Sequence, residues 1–235
     1  MTAKFFYRPN APTVVKRRFV EADILRKMFE IYLMDGSSSP ESVNQEVCHY
    51  LEANVGDYDL VVIGDYGHGF LGERIIKVLC DGAKFLAINA QTNSANIGFN
   101  LITKYPRADY ICIDEPEVRL ATHDNVSSLE DLVVKVGRQL KCQSVAVTQG
   151  HRGALVYQDG DGFFQIPVFS REVVERVGAG DAYLSVTSPC VAANFPIDLV
   201  GFVGNAVGAL KIRIVGNRSS VESVPLFKYI NTLMK

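Results

Sequence analysis

The sequence predicts an α/β fold in which a mostly parallel sheet carries helices on both of its faces. One observation is a series of short apolar runs, which is the pattern of buried parallel strands. These runs lie at Leu60–Ile63, Phe85–Ile88, Tyr110–Ile113 and Ser144–Thr148. A second observation is that segments with helical periodicity separate the runs, as expected for repeated strand–helix–strand units.

The predicted helices between these strands lie at Gly72–Cys80, Gly98–Lys104 and Ser127–Leu140. The last of them carries leucine and valine side chains along one stripe, which favours packing against the sheet. Residues 153–158 and 163–168 flank an Asp-Gly-Asp-Gly stretch and predict a hairpin after the fourth strand.

Three further helices are expected towards the C-terminus, at about 181–194, at 197–213 and after Pro225. Pro189 should kink the first of them or end it early, because proline lacks the amide that a helix interior needs. Lys211, near the end of the second, is expected to be solvated.

The first 35 residues differ from the rest of the chain. Thr13–Val20 is rich in β-branched and basic residues and predicts an exposed or edge strand, while Ile24–Met34 predicts a second strand or a short helix. A Ser-rich turn follows, in which Ser39 is the predicted N-cap of a helix and Pro40 its first residue. The sequence therefore divides into residues 1–35 and an α/β core at 36–235.

Composition narrows the function classes. Of the 235 residues, 48% are hydrophobic and 21% charged, which is typical of a globular protein and excludes disorder as the main state. Lys and Arg total 24 against 26 Asp and Glu, so no basic excess favours nucleic-acid binding. Five scattered cysteines, no apolar leader and no run long enough to span a bilayer predict a reduced, cytoplasmic protein without membrane contact.

Gly67–Gly72 has the spacing G-x-G-x-x-G and follows a predicted strand, which is where a dinucleotide-binding turn belongs. Two extra residues lengthen the turn, however, and the next strand ends in Asn89, where a ribose-binding carboxylate is expected. The glycines are better explained by a strand-to-helix turn, and nicotinamide binding stays a minor alternative.

Gly178-Ala179-Gly180-Asp181 precedes an apolar helix. Backbone amides at a helix N-terminus, together with the positive end of the helix dipole, bind phosphoryl groups, and glycines let a ligand approach closely. A carboxylate at the same place could accept a proton from an attacking hydroxyl. The alternative is that Asp181 only caps the helix.

Six segments together resemble one family, the ribokinase-like (PfkB) carbohydrate kinases. Residues 174–183 resemble the family signature D-T-x-G-A-G-D-x-F, and 147–157 resemble its V-T-x-G-x-x-G nucleotide-site strand and hairpin. Residues 113–117 are similar to its N-x-x-E segment, and 204–210 to a late helix with an Asn beside adenine. Residues 61–69 resemble the S-D-Y-x-K-G segment of the ADP-heptose-pathway sugar kinases, and 8–17 resemble the substrate-lid strands of that branch.

The resemblance implies a ribokinase-like three-layer fold with a small β lid remnant at residues 1–35. It implies ATP and Mg²⁺ as cofactors, a sugar or sugar phosphate as acceptor, and lid strands that in this family often pair into a homodimer. Asp181 would be the base, with the Gly178, Ala179 and Gly180 amides as the anion hole. The other implied roles are nucleotide binding by Thr148, Gly150, Gly153 and Asn205, substrate binding by Asp65, Tyr66 and Lys16, and metal binding by Glu117 and Asp114.

The sequence also departs from the family pattern. It has no Gly-Gly dipeptide and begins inside the lid, so we expect the C-terminal portion of a kinase, truncated at the N-terminus and without most of the sugar pocket. Glu175-Arg176 replaces Asp-Thr, and Asp114 replaces Asn. Arg176 either supplies a cation to a phosphate or is a solvated surface residue. A weak or inactive kinase is therefore expected, and the alternative is a non-catalytic domain that binds nucleotide or sugar phosphate.

Overall fold

The computed structural model describes residues 2–21, 27–37, 39–93, 96–170, 172–216 and 218–235. Within them, the strands are β1 (Val15–Val20), β2 (Lys27–Leu33), β3 (Val61–Asp65), β4 (Leu86–Ala90), β5 (Tyr110–Asp114), β6 (Ser144–Thr148), β7 (Ala154–Gln158) and β8 (Gly162–Ile166). The helices are α1 (Glu41–Asn54), α2 (Glu73–Gly82), α3 (Glu115–Thr122), α4 (Leu129–Gln139), α5 (Ala179–Ala192), α6 (Ile197–Lys211) and α7 (Ser223–Leu233).

The central sheet has its strands in chain order, from β3 to β8. The four strands β3 to β6 pair in parallel, and β7 and β8 complete the sheet as an antiparallel hairpin. The predicted strands, hairpin and mostly parallel sheet are confirmed. Because the parallel strands all point the same way, the loops that follow them gather at one edge of the sheet.

Helices cover both faces of this sheet because successive strand residues point to opposite sides. In β5, Ile111 and Ile113 belong to one hydrophobic cluster, together with residues of α1 to α4. Tyr110 and Cys112 belong to a second cluster, which includes Tyr183 of α5 and residues of α6. The result is a three-layer arrangement with the sheet in the middle.

β1 and β2 form a separate antiparallel sheet in which Val15 pairs with Leu33. This confirms the predicted exposed first strand and assigns the second segment to a strand rather than a helix. The part of that second segment at residues 24–26 lies outside the described residues. The division of the chain at residue 35 stays a prediction.

Ser39 does not cap α1, contrary to the prediction. The helix begins at Glu41, and Pro40 occupies the cap position without a side-chain cap bond. The buried Ser39 hydroxyl instead donates to the carbonyl of Gly69, 3.4 Å away. The Ser39 side chain, which the local pattern predicted as the cap of α1, therefore bonds to the loop after β3 instead.

The predicted helix at Gly98–Lys104 is also wrong. Only a 3₁₀ turn forms there, at Ile102–Lys104. Asn96 and Asn100 use their side-chain amides to hold backbone carbonyls of the neighbouring loop, and Gly98 has a positive φ of 80°. Because these side-chain amides bind backbone carbonyls of another loop, the segment forms a packed loop rather than a helix.

Pro189 does not end α5 early, because the helix continues to Ala192. The amide of Ala193 donates to the Pro189 carbonyl, so helical bonding resumes beyond the ring. Ser188 adds a side-chain bond to the Leu184 carbonyl, 2.6 Å away. Burial of α5 against the sheet, together with these bonds, offsets the loss of the helical hydrogen bond that proline cannot donate.

In the described part of the chain, none of the helices combines the length and the apolar character needed to cross a membrane. The five cysteines are free thiols, four of them buried.

We expect Gly204→Ala to lower the free energy of unfolding by about 1–3 kcal/mol, the usual range for overpacking a core. A Cβ at Gly204 would lie 2.3 Å from Cζ of the buried Tyr183 ring. Gly208→Ala, one turn later on α6, meets no atom within 4 Å and should be neutral or stabilising by roughly 0.5–1 kcal/mol. Equal destabilisation of both variants in urea unfolding would contradict this packing.

Candidate active site

A cavity of about 1650 Å³ opens at the edge of the sheet where the parallel strands end. Its wall contains all the predicted functional residues except Asp65. Those that line it are Lys16, Tyr66, Asp114, Glu117, Thr148, Gly150, Gly153, Gly178, Ala179, Gly180, Asp181 and Asn205. Segments that are far apart in the sequence therefore meet in one place, as the position beyond the strand ends predicts.

The N-terminus of α5 faces this cavity. Gly178 is the N-cap residue with a φ of 79°, a left-handed conformation that glycine adopts without strain. The helix begins at Ala179, so Asp181 is its third residue and does not cap it, which removes the capping alternative. The first helical amides have no carbonyl within the helix to bind, and they lie at the positive end of its dipole. This terminus can therefore hold a phosphate.

Asp181 meets Tyr66 across the cavity. The Tyr66 hydroxyl donates to Oδ1 of Asp181 over 3.1 Å, joining residues 115 positions apart. Burial, the charge of Asp181 and this hydrogen bond raise the pKa of Tyr66 to about 12. The Lys16 ammonium lies 5.7 Å from the centre of the Tyr66 ring, so β1 contributes a cation to the same wall.

Asp65 does not reach the cavity wall. Its carboxylate is only 4% exposed and accepts hydrogen bonds from the Tyr105 hydroxyl at 2.7 Å and the Gly67 amide at 3.0 Å, besides an ion pair with Lys104. These contacts hold the loop after β3 in shape. Its neighbour Tyr66 is the residue of this pair that faces the cavity.

The glycine-rich stretch 67–72 has no space for a dinucleotide pyrophosphate against Gly67. A Cβ on Gly67 would lie 2.1 Å from Nδ2 of Asn96 and 2.7 Å from Cγ of Asn100, so asparagine side chains already fill the concave side. Gly67 also has a positive φ of 67°. The glycines serve the turn between β3 and α2, which argues against the nicotinamide alternative.

Asp114 and Glu117 form a capping box at the start of α3. The Glu117 amide donates to Asp114 Oδ1 over 2.8 Å, and the Asp114 amide donates to Glu117 Oε2 over 2.9 Å. Thr92 donates its amide to the other oxygen of Glu117 over 2.7 Å. This role was not expected for the two residues, although D-x-x-E with a proline between is a recognised helix-start pattern.

Burial, with the nearby charge of Asp114, raises the pKa of Glu117 to about 7. Burial also raises the pKa of Asp114. Within the described residues, no group of three or more His, Cys, Asp or Glu side chains converges on a metal position. This donor set fits Mg²⁺ held mainly by phosphate oxygens and water, with a carboxylate in support.

The nucleotide-side residues surround the turn between β6 and β7. Gly153 has a φ of 94°, and a Cβ there would lie 2.0 Å from the Ile166 carbonyl oxygen, so only glycine fits. Asn205 donates to the carbonyls of Ile166 at 3.0 Å and Pro167 at 2.8 Å. It thus ties α6 to the end of β8 and supports this wall of the cavity.

Among the residues that line the cavity, three have a buried polar side-chain atom without a hydrogen-bond partner in the described part of the chain. These atoms are Asn89 Oδ1, Gln149 Oε1 and Tyr183 Oη. Buried polar groups in native proteins nearly always find a partner. The cavity therefore has the polar interior of a site that takes up water or a polar ligand.

Lys211 is buried, contrary to the expectation that it is solvated. It is 6% exposed, and its ammonium donates to the Gly216 carbonyl over 2.7 Å. The Gly216 amide in turn donates to the Glu175 carboxylate, and the amides of Val174 and Glu175 both donate to the Ile212 carbonyl. The loop after α6 is thereby bound to the segment that leads into the α5 N-terminus.

A family model described as pfkB family carbohydrate kinase matches residues 17–224. The chain belongs to this family. Among solved structures, ribokinase from Thermotoga maritima has a TM-score of 0.73 at 14% identity and covers 96% of this chain and 72% of its own. Arabidopsis thaliana ribokinase complexed with ribose and ATP has a TM-score of 0.68 at 13% identity, with 94% and 70% covered. The predicted ribokinase-like fold is confirmed.

The curated relatives include proteins named bifunctional protein HldE. That of Citrifermentans bemidjiense is 24% identical over 183 residues, which are 77% of this chain and 37% of the relative. That of Helicobacter hepaticus is 22% identical over 231 residues, 97% of this chain and 46% of the relative. The pfkB-family chain thus spans less than half the length of these relatives, and the predicted similarity to the ADP-heptose branch is confirmed.

We expect Lys211→Met to loosen the segment before α5, because the Gly216 carbonyl loses its donor while the side chain keeps its length. Hydrogen–deuterium exchange at 174–178 and 212–216 should become faster, with β5 unchanged. Lys228→Met, an exposed lysine on α7, is the matched control and should leave both segments as they are. Unchanged exchange at 174–178 in Lys211→Met would show that Lys211 does not support the segment before α5.

Proposed function

We propose that this pfkB-family chain carries out ATP-dependent phosphoryl transfer to a hydroxyl of a sugar or sugar phosphate, of the heptose or heptose-phosphate type. The observation that carries the proposal is the position of the Asp181 carboxylate on the first turn of α5. There it lies beside the amides at the N-terminus of that helix, of which the Ala179 amide bonds to the Arg176 carbonyl over 3.3 Å, and the carboxylate and this terminus line one cavity. We further propose that the chain on its own is weakly active.

In this mechanism the amides of Gly178–Gly180 and the α5 dipole stabilise negative charge on the transferring phosphoryl group. Asp181 accepts the proton of the attacking hydroxyl. Arg176 lines the same cavity and would add a cation near the phosphates. Mg²⁺, held by the nucleotide with Asp114 and Glu117 beside it, would supply further charge neutralisation.

Two comparisons support the proposal. The Arabidopsis ribokinase is described as complexed with ribose and ATP, and its fold matches this chain over 94% of the residues. The HldE relatives match the branch to which the loop at 61–69 was assigned by resemblance. Because the chain spans less than half of those relatives, the acceptor of the whole protein stays part of the proposal.

The second candidate is a non-catalytic nucleotide-binding domain. It is favoured by the use of both Glu117 oxygens in backbone bonds, which leaves that carboxylate less able to serve a metal. The two candidates share ATP binding and differ only in phosphoryl transfer. An assay that measures both separates them.

We expect ATP with Mg²⁺ to protect residues 148–153, 178–182 and the region around Asn205 from hydrogen–deuterium exchange. These backbone segments line the cavity, whereas 67–72 is packed against asparagines. ADP and NAD at equal concentration serve as nucleotide controls. Protection centred on 67–72, with none near 148–153, would revive the dinucleotide alternative.

We expect Asp181→Asn to reduce phosphoryl transfer by about 10²–10⁴-fold, the typical loss for a general base, with ATP affinity nearly unchanged. Asparagine keeps the size and can still accept the Tyr66 hydrogen bond. Transfer of labelled γ-phosphate to a panel of sugars and sugar phosphates provides the measurement. Equal transfer by the variant would exclude Asp181 as the base, and ATP binding without any transfer by the wild type would favour the second candidate.

A further inference from the structure

Tyr66 occupies the position at Asp181 that the proposed mechanism assigns to an acceptor hydroxyl. Its Oη lies 3.1 Å from Asp181 Oδ1 and donates to it, as a hydroxyl must before the base takes its proton. We propose that Tyr66 is itself a phosphoryl acceptor, so that the chain with ATP bound phosphorylates its own Tyr66 hydroxyl. This inference rests on the proposed ATP-dependent transfer.

The backbone around Tyr66 is held on both sides, so the ring has a defined direction. Asn93 and Asn96 each donate a side-chain amide to the Tyr66 carbonyl over 3.0 Å. Asn100 donates to the Asp65 carbonyl over 3.0 Å, and Gly67 donates its amide to the Asp65 carboxylate. A hydroxyl presented by a fixed loop gains the orientation that a freely diffusing acceptor must acquire by binding.

The surroundings of Tyr66 can also accommodate the product of this reaction, a phosphate on its hydroxyl oxygen. Tyr66 is 39% exposed and lines the cavity that contains the α5 N-terminal amides. The Lys16 ammonium, 5.7 Å from the ring centre, would lie near a phosphate on Oη and offset part of its charge. Within the described residues, no other tyrosine hydroxyl is hydrogen bonded to Asp181.

The chemistry balances without any further reactant. The bond between the γ-phosphorus and the β–γ bridging oxygen of ATP breaks, and a bond from Tyr66 Oη to that phosphorus forms. The phenolic proton passes to Asp181 Oδ1, and ADP leaves with the electron pair of the broken bond. The phenol pKa of about 12 keeps the proton on Tyr66 at neutral pH, so the reaction needs this base.

Incubation of the purified chain with ATP and Mg²⁺, followed by intact-mass and peptide mass spectrometry, tests the inference. We expect up to one phosphoryl group per chain, located on Tyr66. Tyr66→Phe should gain none, and Asp181→Asn should react about 10²–10⁴-fold more slowly. Tyr58→Phe, a matched change at an exposed tyrosine before β3, should react like the wild type.

ATP binding is measured in parallel by titration with a fluorescent ATP analogue, and folding of each variant by thermal melting. Binding of ATP without phosphate on Tyr66 would overturn this inference and leave the nucleotide site intact. Phosphate on another residue, or equal labelling of Tyr66→Phe, would also overturn it. Absence of ATP binding would instead overturn the proposed function, and this inference with it.

Discussion

The packing of α5 against the middle of the sheet is the contact on which the cavity depends. Tyr110 of β5 donates its hydroxyl to Thr187 of α5 over 2.9 Å, and neither side chain is exposed to solvent. A buried bond of this kind is specific in direction, because breaking it would leave polar groups unpaired in the core. It fixes α5 on the sheet, and its N-terminus then opens at the edge where the parallel strands end.

The same anchoring explains why the turn before α5, where we propose that phosphate binds, is supported from several sides. Behind it, Tyr183 fills the space left by Gly204 on α6, where a Cβ would lie 2.3 Å from the ring. Beside it, the buried Lys211 donates to the Gly216 carbonyl, and the Gly216 amide donates to Glu175 in the segment before Gly178. A phosphate site made of backbone amides has no side chains to adjust, so its precision comes from the rigidity of these neighbours.

Several charged groups at the proposed site form hydrogen bonds that hold the local structure. Asp114 and Glu117 satisfy helix-end amides, Glu175 accepts a loop amide, and Asp65 holds the loop that presents Tyr66. Each of these hydrogen bonds occupies a carboxylate oxygen that would otherwise be available to a ligand. Asp181 and Tyr66 differ from these groups, because their side chains bond to each other at the wall of the cavity.

The alternation of apolar runs and helical stripes determined the α/β fold, because periodicity reports directly which face of a strand or helix is buried. The same pattern placed the candidate site beyond the carboxyl ends of the parallel strands, whereas the order of the strands in the sheet came from the structure. Local pattern failed where a side chain had a distant partner. Ser39 turned to Gly69, and the asparagines near Gly98 turned to the loop after β3.

In the candidate site, too, some features were predicted from the sequence and others became visible only in the tertiary structure. The residues at the α5 N-terminus suggested a phosphate site, and the resemblance to the family motifs added the turn after β6 and Asn205. Only the tertiary structure separated Asp65, which faces inward to Tyr105, from Tyr66, which faces Asp181. It alone revealed the buried Lys211. Contacts between residues 40 or 115 positions apart depend on how the layers pack. The local pattern of a single sequence does not report which distant residues this packing brings together.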